Sequence, residues 1–163
     1  MFHRALFHHL GWVTLFWLAL TSQATAGNIF GDWFCISNQE SEETQSKMHG
    51  TFSFGINGFL NGDMNITFVS EGVTVEANAK YLSSWELVGN KLSDTPIRVW
   101  ISKYDINGFF ARNSVGADEL QWSLMKDSDI PAIVTFNSDN EMLLDHKGRI
   151  THCERKIGNA AGS

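Results

Sequence analysis

The chain is poor in strand breakers and in cross-linking residues, with two prolines and two cysteines in 163 residues. So few prolines leave nearly every backbone N–H able to donate, which favours long hydrogen-bonded ladders. Positive charge is also scarce: 12 Lys and Arg face 18 Asp and Glu, for a formal charge of −6. That balance argues against nucleic acid as a partner, because tracking a phosphate backbone demands clustered basic groups. Nor is there a polybasic patch for an anionic lipid surface. Hydrolase and metalloprotease signatures such as Gly-x-Ser-x-Gly and His-Glu-x-x-His are missing, as are His-x-His and Cys-x-x-Cys spacings. His152 adjoins Cys153, and neighbouring strand positions point to opposite faces, so the two cannot share one ion. No catalytic residues, no metal site and no cofactor are therefore expected, and the protein is not expected to be an enzyme.

What is present begins with a leader. Arg4 stands in a short segment without acids, an apolar stretch runs from Leu10 to Leu20, and Ala24-Thr25-Ala26 offers small residues for cleavage. The stretch is roughly 11 residues long, whereas a spanning helix needs about 20. Residues 1–26 are expected to be a cleaved signal peptide, 27–156 a single β domain, and 157–163 a disordered tail. Cleavage removes Arg4 and no acid, so the mature chain is more acidic still. The protein is then expected to be exported, periplasmic or extracellular, with no membrane span after cleavage. In an oxidising compartment, Cys35 and Cys153, separated by 118 residues, are most simply a disulfide that ties the two ends together.

Between those ends, period-two alternation dominates. It marks strands over Thr51–Ile56, Met64–Phe68, Val73–Tyr81, Ser84–Val88, Pro96–Lys103, Glu119–Met125, Ala132–Asn137, Glu141–Asp145 and Arg149–Glu154. Turn signals separate them: Asn57-Gly58, Asn61-Gly62, Gly89-Asn90, Asn107-Gly108, Ser138-Asp139-Asn140 and His146-Lys147-Gly148. Pro96 and Pro131 fall at expected strand starts, and the polar stretch Glu40–Lys47 is expected to be a solvated loop. Short strands joined by tight turns predict an all-β fold, an antiparallel up-and-down meander closing into a small 8–10-stranded barrel. A β-sandwich is the alternative, with Tyr104–Asp118 as the one stretch long enough for its crossover. A Cys35–Cys153 bond favours closure, since first and last strands become neighbours only when the sheet rolls up.

Gly31-Asp32-Trp33, at the start of the first strand, resembles the Gly-x-Trp pattern of the lipocalins and wider calycins. Trp85-Glu86-Leu87-Val88-Gly89-Asn90-Lys91-Leu92 is similar to a Trp-x-Leu-x-Gly-x-x-Leu hairpin in small exported lipocalin-like bacterial domains. The resemblance implies a tryptophan, Trp33, plugging the closed end of a barrel and stacked against an arginine from late in the chain. Arg149 or Arg155 would supply it.

Phe52, Phe54, Phe68, Trp85, Trp122 and Phe136 all fall on inferred inward faces. In a small barrel they either fill the interior or line a cavity for a small apolar or amphipathic ligand. Ala77 and Ala79 would leave room on one wall. A different class of function, a protein-interaction module such as an envelope assembly factor or an inhibitor of a secreted enzyme, would work through exposed loops. Glu40–Lys47 and Tyr104–Asp118, the latter with Phe109-Phe110, are the candidate surfaces for such an envelope or secreted partner.

Overall fold

The computed structural model describes residues 28–126 and 130–157. The expected leader lies outside them, as does the tail beyond Ile157. Nine strands form one antiparallel sheet. The first five are β1 (Gly31–Glu40), β2 (Thr44–Phe54), β3 (Phe59–Ser70), β4 (Val73–Val88) and β5 (Lys91–Ile106). A two-residue β6 (Phe109–Phe110) and a helix, α1 (Val115–Met125), follow. β7 (Ala132–Ser138), β8 (Glu141–His146) and β9 (Arg149–Arg155) complete the chain. Consecutive strands from β1 to β5 pair as a meander, β7, β8 and β9 pair likewise, and β9 returns to β1. The expected barrel is thus a sheet whose hydrogen bonds ring through eight strands, and the sandwich alternative is not what forms.

The ring is uneven. β4 and β5 pair along their whole lengths, but β5 meets β7 only at Lys91–Ile133 and Leu92–Ala132. At its far end the stub β6 covers Asp105 and Ile106. In between, the Arg112 Nε donates to the Ile101 carbonyl and Ala111 N to the Tyr104 carbonyl. Beside this seam Lys103 bonds the mostly buried Asp105 at 2.8 Å, and that carboxylate, with Glu76, raises the Lys103 pKa above 10.5.

α1 corrects the strand expected over Glu119–Met125. The Ser114 hydroxyl accepts from Ala117 N and caps the helix, and Asp118 in the first turn suits its positive end. The alternation of Leu120, Trp122 and Leu124 mimics a strand. Helical geometry instead stacks Ala117, Leu120 and Leu124 on one face, against Met64, Ala77, Ala79, Ile101 and Tyr104. The room left by Ala77 and Ala79 is filled by this helix rather than by empty space: they are 1% and 0% exposed.

Other boundaries move for local reasons. Val73–Tyr81 and Ser84–Val88 merge into β4, with the register shifting at Leu82/Ser83. Opposite that shift Ile97 goes unpaired and Pro96 sits mid-strand beside the bulge, not at a strand start; a bulge tolerates the missing N–H. Asn61-Gly62 is not a turn, because Asn57-Gly58 has already reversed the chain. Gly62 lies within β3 opposite Phe52, whose ring would sit 2.9 Å from an added Cβ. The expected loop Glu40–Lys47 shrinks to Ser41–Glu43, for β1 and β2 run on as a polar hairpin. Glu71-Gly72, unmarked by the usual turn pairs, makes the β3–β4 turn with φ of 48° and 79°.

β1 and β9 hold the ring shut. Cys35 and Cys153 stand directly opposite each other and are disulfide-bonded. Two residues along the same ladder, Trp33 faces Arg155. The indole is 0% exposed, donates to the Ile29 carbonyl at 2.7 Å, and carries the Arg155 guanidinium 4.2 Å from its centre. Arg155 also donates to the carbonyls of Phe30, Asn28 and Asp139. Gly31 explains the Gly-x-Trp spacing: its φ is +107°, and a Cβ there would come 3.1 Å from the guanidinium. Arg149, the alternative partner, instead pairs with His146 beside the β8–β9 turn. Replacing Arg155 with Ala should lower stability by about 3 kcal/mol, from lost stacking and charge-assisted bonds. Urea unfolding followed by tryptophan fluorescence measures it, and a loss within error would mean the stack carries no weight.

Candidate functional site

Two apolar clusters share Phe52 and Tyr81. One gathers Trp33, Phe54, Leu60 and the disulfide; the other lies under α1. Between them is a cavity of about 320 Å³. Native interiors are close-packed, and sites for small molecules run from roughly 300 to 1,000 Å³, so this space falls at the small end of that class.

Its walls follow from strand parity. Met48, Phe52 and Phe54 project from β2, and Leu60 and Met64 from β3. Leu92, Asp94 and Pro96 alternate along β5, with Leu144 opposite on β8 and Leu124 contributed by α1. Lys126 and Ile130, both solvent-exposed, also line it, as does Ala132 at the start of β7.

Few polar groups enter. The Tyr81 hydroxyl donates to Asp94 Oδ2. Ser123, Lys126, His146 and Thr151 are the remaining polar side chains in the wall. Ser83, flanked in register by the wall residues Leu60 and Pro96, is 0% exposed, and its hydroxyl has no hydrogen-bond partner among the described residues. Among the described residues no three of His, Cys, Asp and Glu converge as a metal would require.

Of the six aromatics assigned from sequence to the interior, Phe52 and Phe54 line the cavity. Trp85 packs edge-on against Phe54 and Phe30, outside the lining. Phe136 leans on Trp33 at the closed end. Phe68 has the inward parity of β3, but its stretch of strand runs past the core and leaves it 40% exposed. Trp122 is a correction: the helix turns it outward, 76% exposed. Sequence reasoning missed Tyr81 and Asp94, both polar-headed residues at positions where alternation calls for an inward side chain.

No family model matches this chain, and no curated protein does.

Outside the ring, Phe109 and Phe110 are 78% and 71% exposed. Val115 and Trp122, seven residues apart, share the outer face of α1.

Burial separates the two kinds of aromatic energetically. Phe54→Ala should cost about 3–5 kcal/mol, whereas Trp122→Ala should cost less than about 0.5 kcal/mol. Equilibrium denaturation of the two variants decides the matter, and equal effects would mean that Trp122 is packed.

Proposed function

We propose that the protein is an exported, lipocalin-like β-barrel that binds a small apolar or amphipathic molecule. The observation that carries this is the mainly apolar cavity of about 320 Å³ lined by Phe52, Phe54, Leu60 and Met64. The leader-like segment and the Cys35–Cys153 disulfide support a periplasmic or extracellular location, because such bonds persist in oxidising compartments. The Trp33–Arg155 stack, reached through Gly31, supports the lipocalin-like character of the barrel. Binding is the activity we assign, since the wall is mainly apolar, with Phe52, Phe54, Leu60 and Met64 among its residues.

Native mass spectrometry of the protein purified from its own host, without reductant, tests this. A copurifying small molecule released on denaturation is the expected result. Leu124→Trp should fill the cavity and weaken uptake by about tenfold or more, equivalent to about 1.4 kcal/mol or more. Unchanged uptake by that variant would place the ligand elsewhere.

A second reading, a protein-interaction module, is favoured by exposed Phe109 and Phe110, which stand together on the β5–β6 hairpin. Its occupant would be an envelope or secreted protein with an apolar surface. The double variant Phe109→Ser/Phe110→Ser should lose an identified partner while its near-ultraviolet circular dichroism is unchanged; retention of the partner ends this reading.

A further inference from the structure

β5 alternates strictly where it passes the cavity. Lys91, Ser93 and Thr95 face solvent, and Leu92, Asp94 and Pro96 face inward. A carboxylate therefore occupies a position that strand parity gives to the interior. Holding a charge there is unfavourable unless something of opposite sign or a set of donors meets it. Asp94 receives one donor, the Tyr81 hydroxyl on Oδ2. Among the described residues, the ion pairs are those of Lys103 with Glu76 and Asp105, and none involves Asp94.

Among the described residues of the wall, the other charged or titratable groups are Lys126 and His146. Lys126 is exposed at the C-terminal end of α1, where its ammonium is hydrated and screened. His146 closes β8 beside the turn and is already engaged by another group. Asp94 thus places a carboxylate at the edge of an apolar chamber walled by Phe52, Phe54, Leu60 and Met64. Aromatic faces beside a carboxylate suit a cation further, since ring quadrupoles attract positive charge.

Resting on the cavity as the binding site, we infer that the ligand is a small amphipathic amine. Its apolar body lies on Phe52, Phe54 and Met64, and its ammonium donates to Asp94, which Tyr81 holds in place. Size narrows the class. At the roughly 30 Å³ that a water molecule occupies in the liquid, the space accepts on the order of ten non-hydrogen atoms. That fits the body of a monoaryl or short-chain alkyl amine.

Three probes of matched length decide it: n-octylammonium, n-octanol and n-octanoate, titrated into the oxidised protein by calorimetry at neutral pH. The ammonium should bind tightest, by about tenfold or more over the alcohol, the scale of one charge-assisted hydrogen bond, with octanoate weakest. Asp94→Asn should bring the ammonium to the level of the alcohol. Tyr81→Phe should reduce the ammonium preference in part. Octanoate binding as well as octylammonium, or an ammonium preference that survives in folded Asp94→Asn, overturns the amine assignment while the cavity still stands as a binding site. Uptake of none of the three overturns the cavity reading itself. The ranking on the unaltered protein decides even if Asp94→Asn fails to fold.

Discussion

Closure of β1 against β9 is the constraint on which the rest depends. A meander of this kind has two free edges, each a template for pairing with another chain, and joining them removes both. The joint is made twice within five residues of β1: covalently at Cys35–Cys153, and at Trp33–Arg155 by stacking and by guanidinium bonds to three carbonyls. In the chain-entropy picture a bridge across 118 residues removes roughly 4–5 kcal/mol of unfolded-state freedom. The stack adds geometry that the bond alone lacks, because it anchors the segment before β1 across the end of the barrel.

With one seam fixed so firmly, the opposite seam can be loose. β5 and β7 share two register pairs and then part. The inward faces that divergence would leave bare are covered by α1, which lies on Met64, Ala77, Ala79, Ile101 and Tyr104. Phe52 and Tyr81 belong to both this cluster and the one around Trp33, and the cavity lies between the two.

Much of this was legible in the sequence, for definable reasons. Alternation over Thr51–Ile56 and Val73–Tyr81 located strands because one of their faces meets the core, and the two cysteines gave away closure. The β1–β2 extension from Asn38 to Lys47 was not legible: its side chains are polar on both faces, and backbone pairing with a few side-chain bonds at its tip, such as Gln45 to Glu40, holds it in the sheet. α1 was misread since Leu120, Trp122 and Leu124 satisfy period two, although Ala117, Leu120 and Leu124 also fit the helical period, and Ser114 as cap was the signal to weigh. The candidate site was half visible. Phe52 and Phe54 followed from parity, but Asp94 did not, because hydrophobicity patterning searches for apolar inward positions and passes over the one charged residue that shares their face.

The disulfide has a mechanical consequence. Cys35 and Cys153 lie with their Cα atoms 4.0 Å apart, so the bond joins β1 to β9 directly within the buried ladder between them. Tension applied between the two ends of the chain runs from β1 to β9 through a covalent link and bypasses nearly everything between. The eight-strand ring and its contents are outside the load path. A chain built this way can be pulled from either end while strands β2 to β8 stay outside the path of the load.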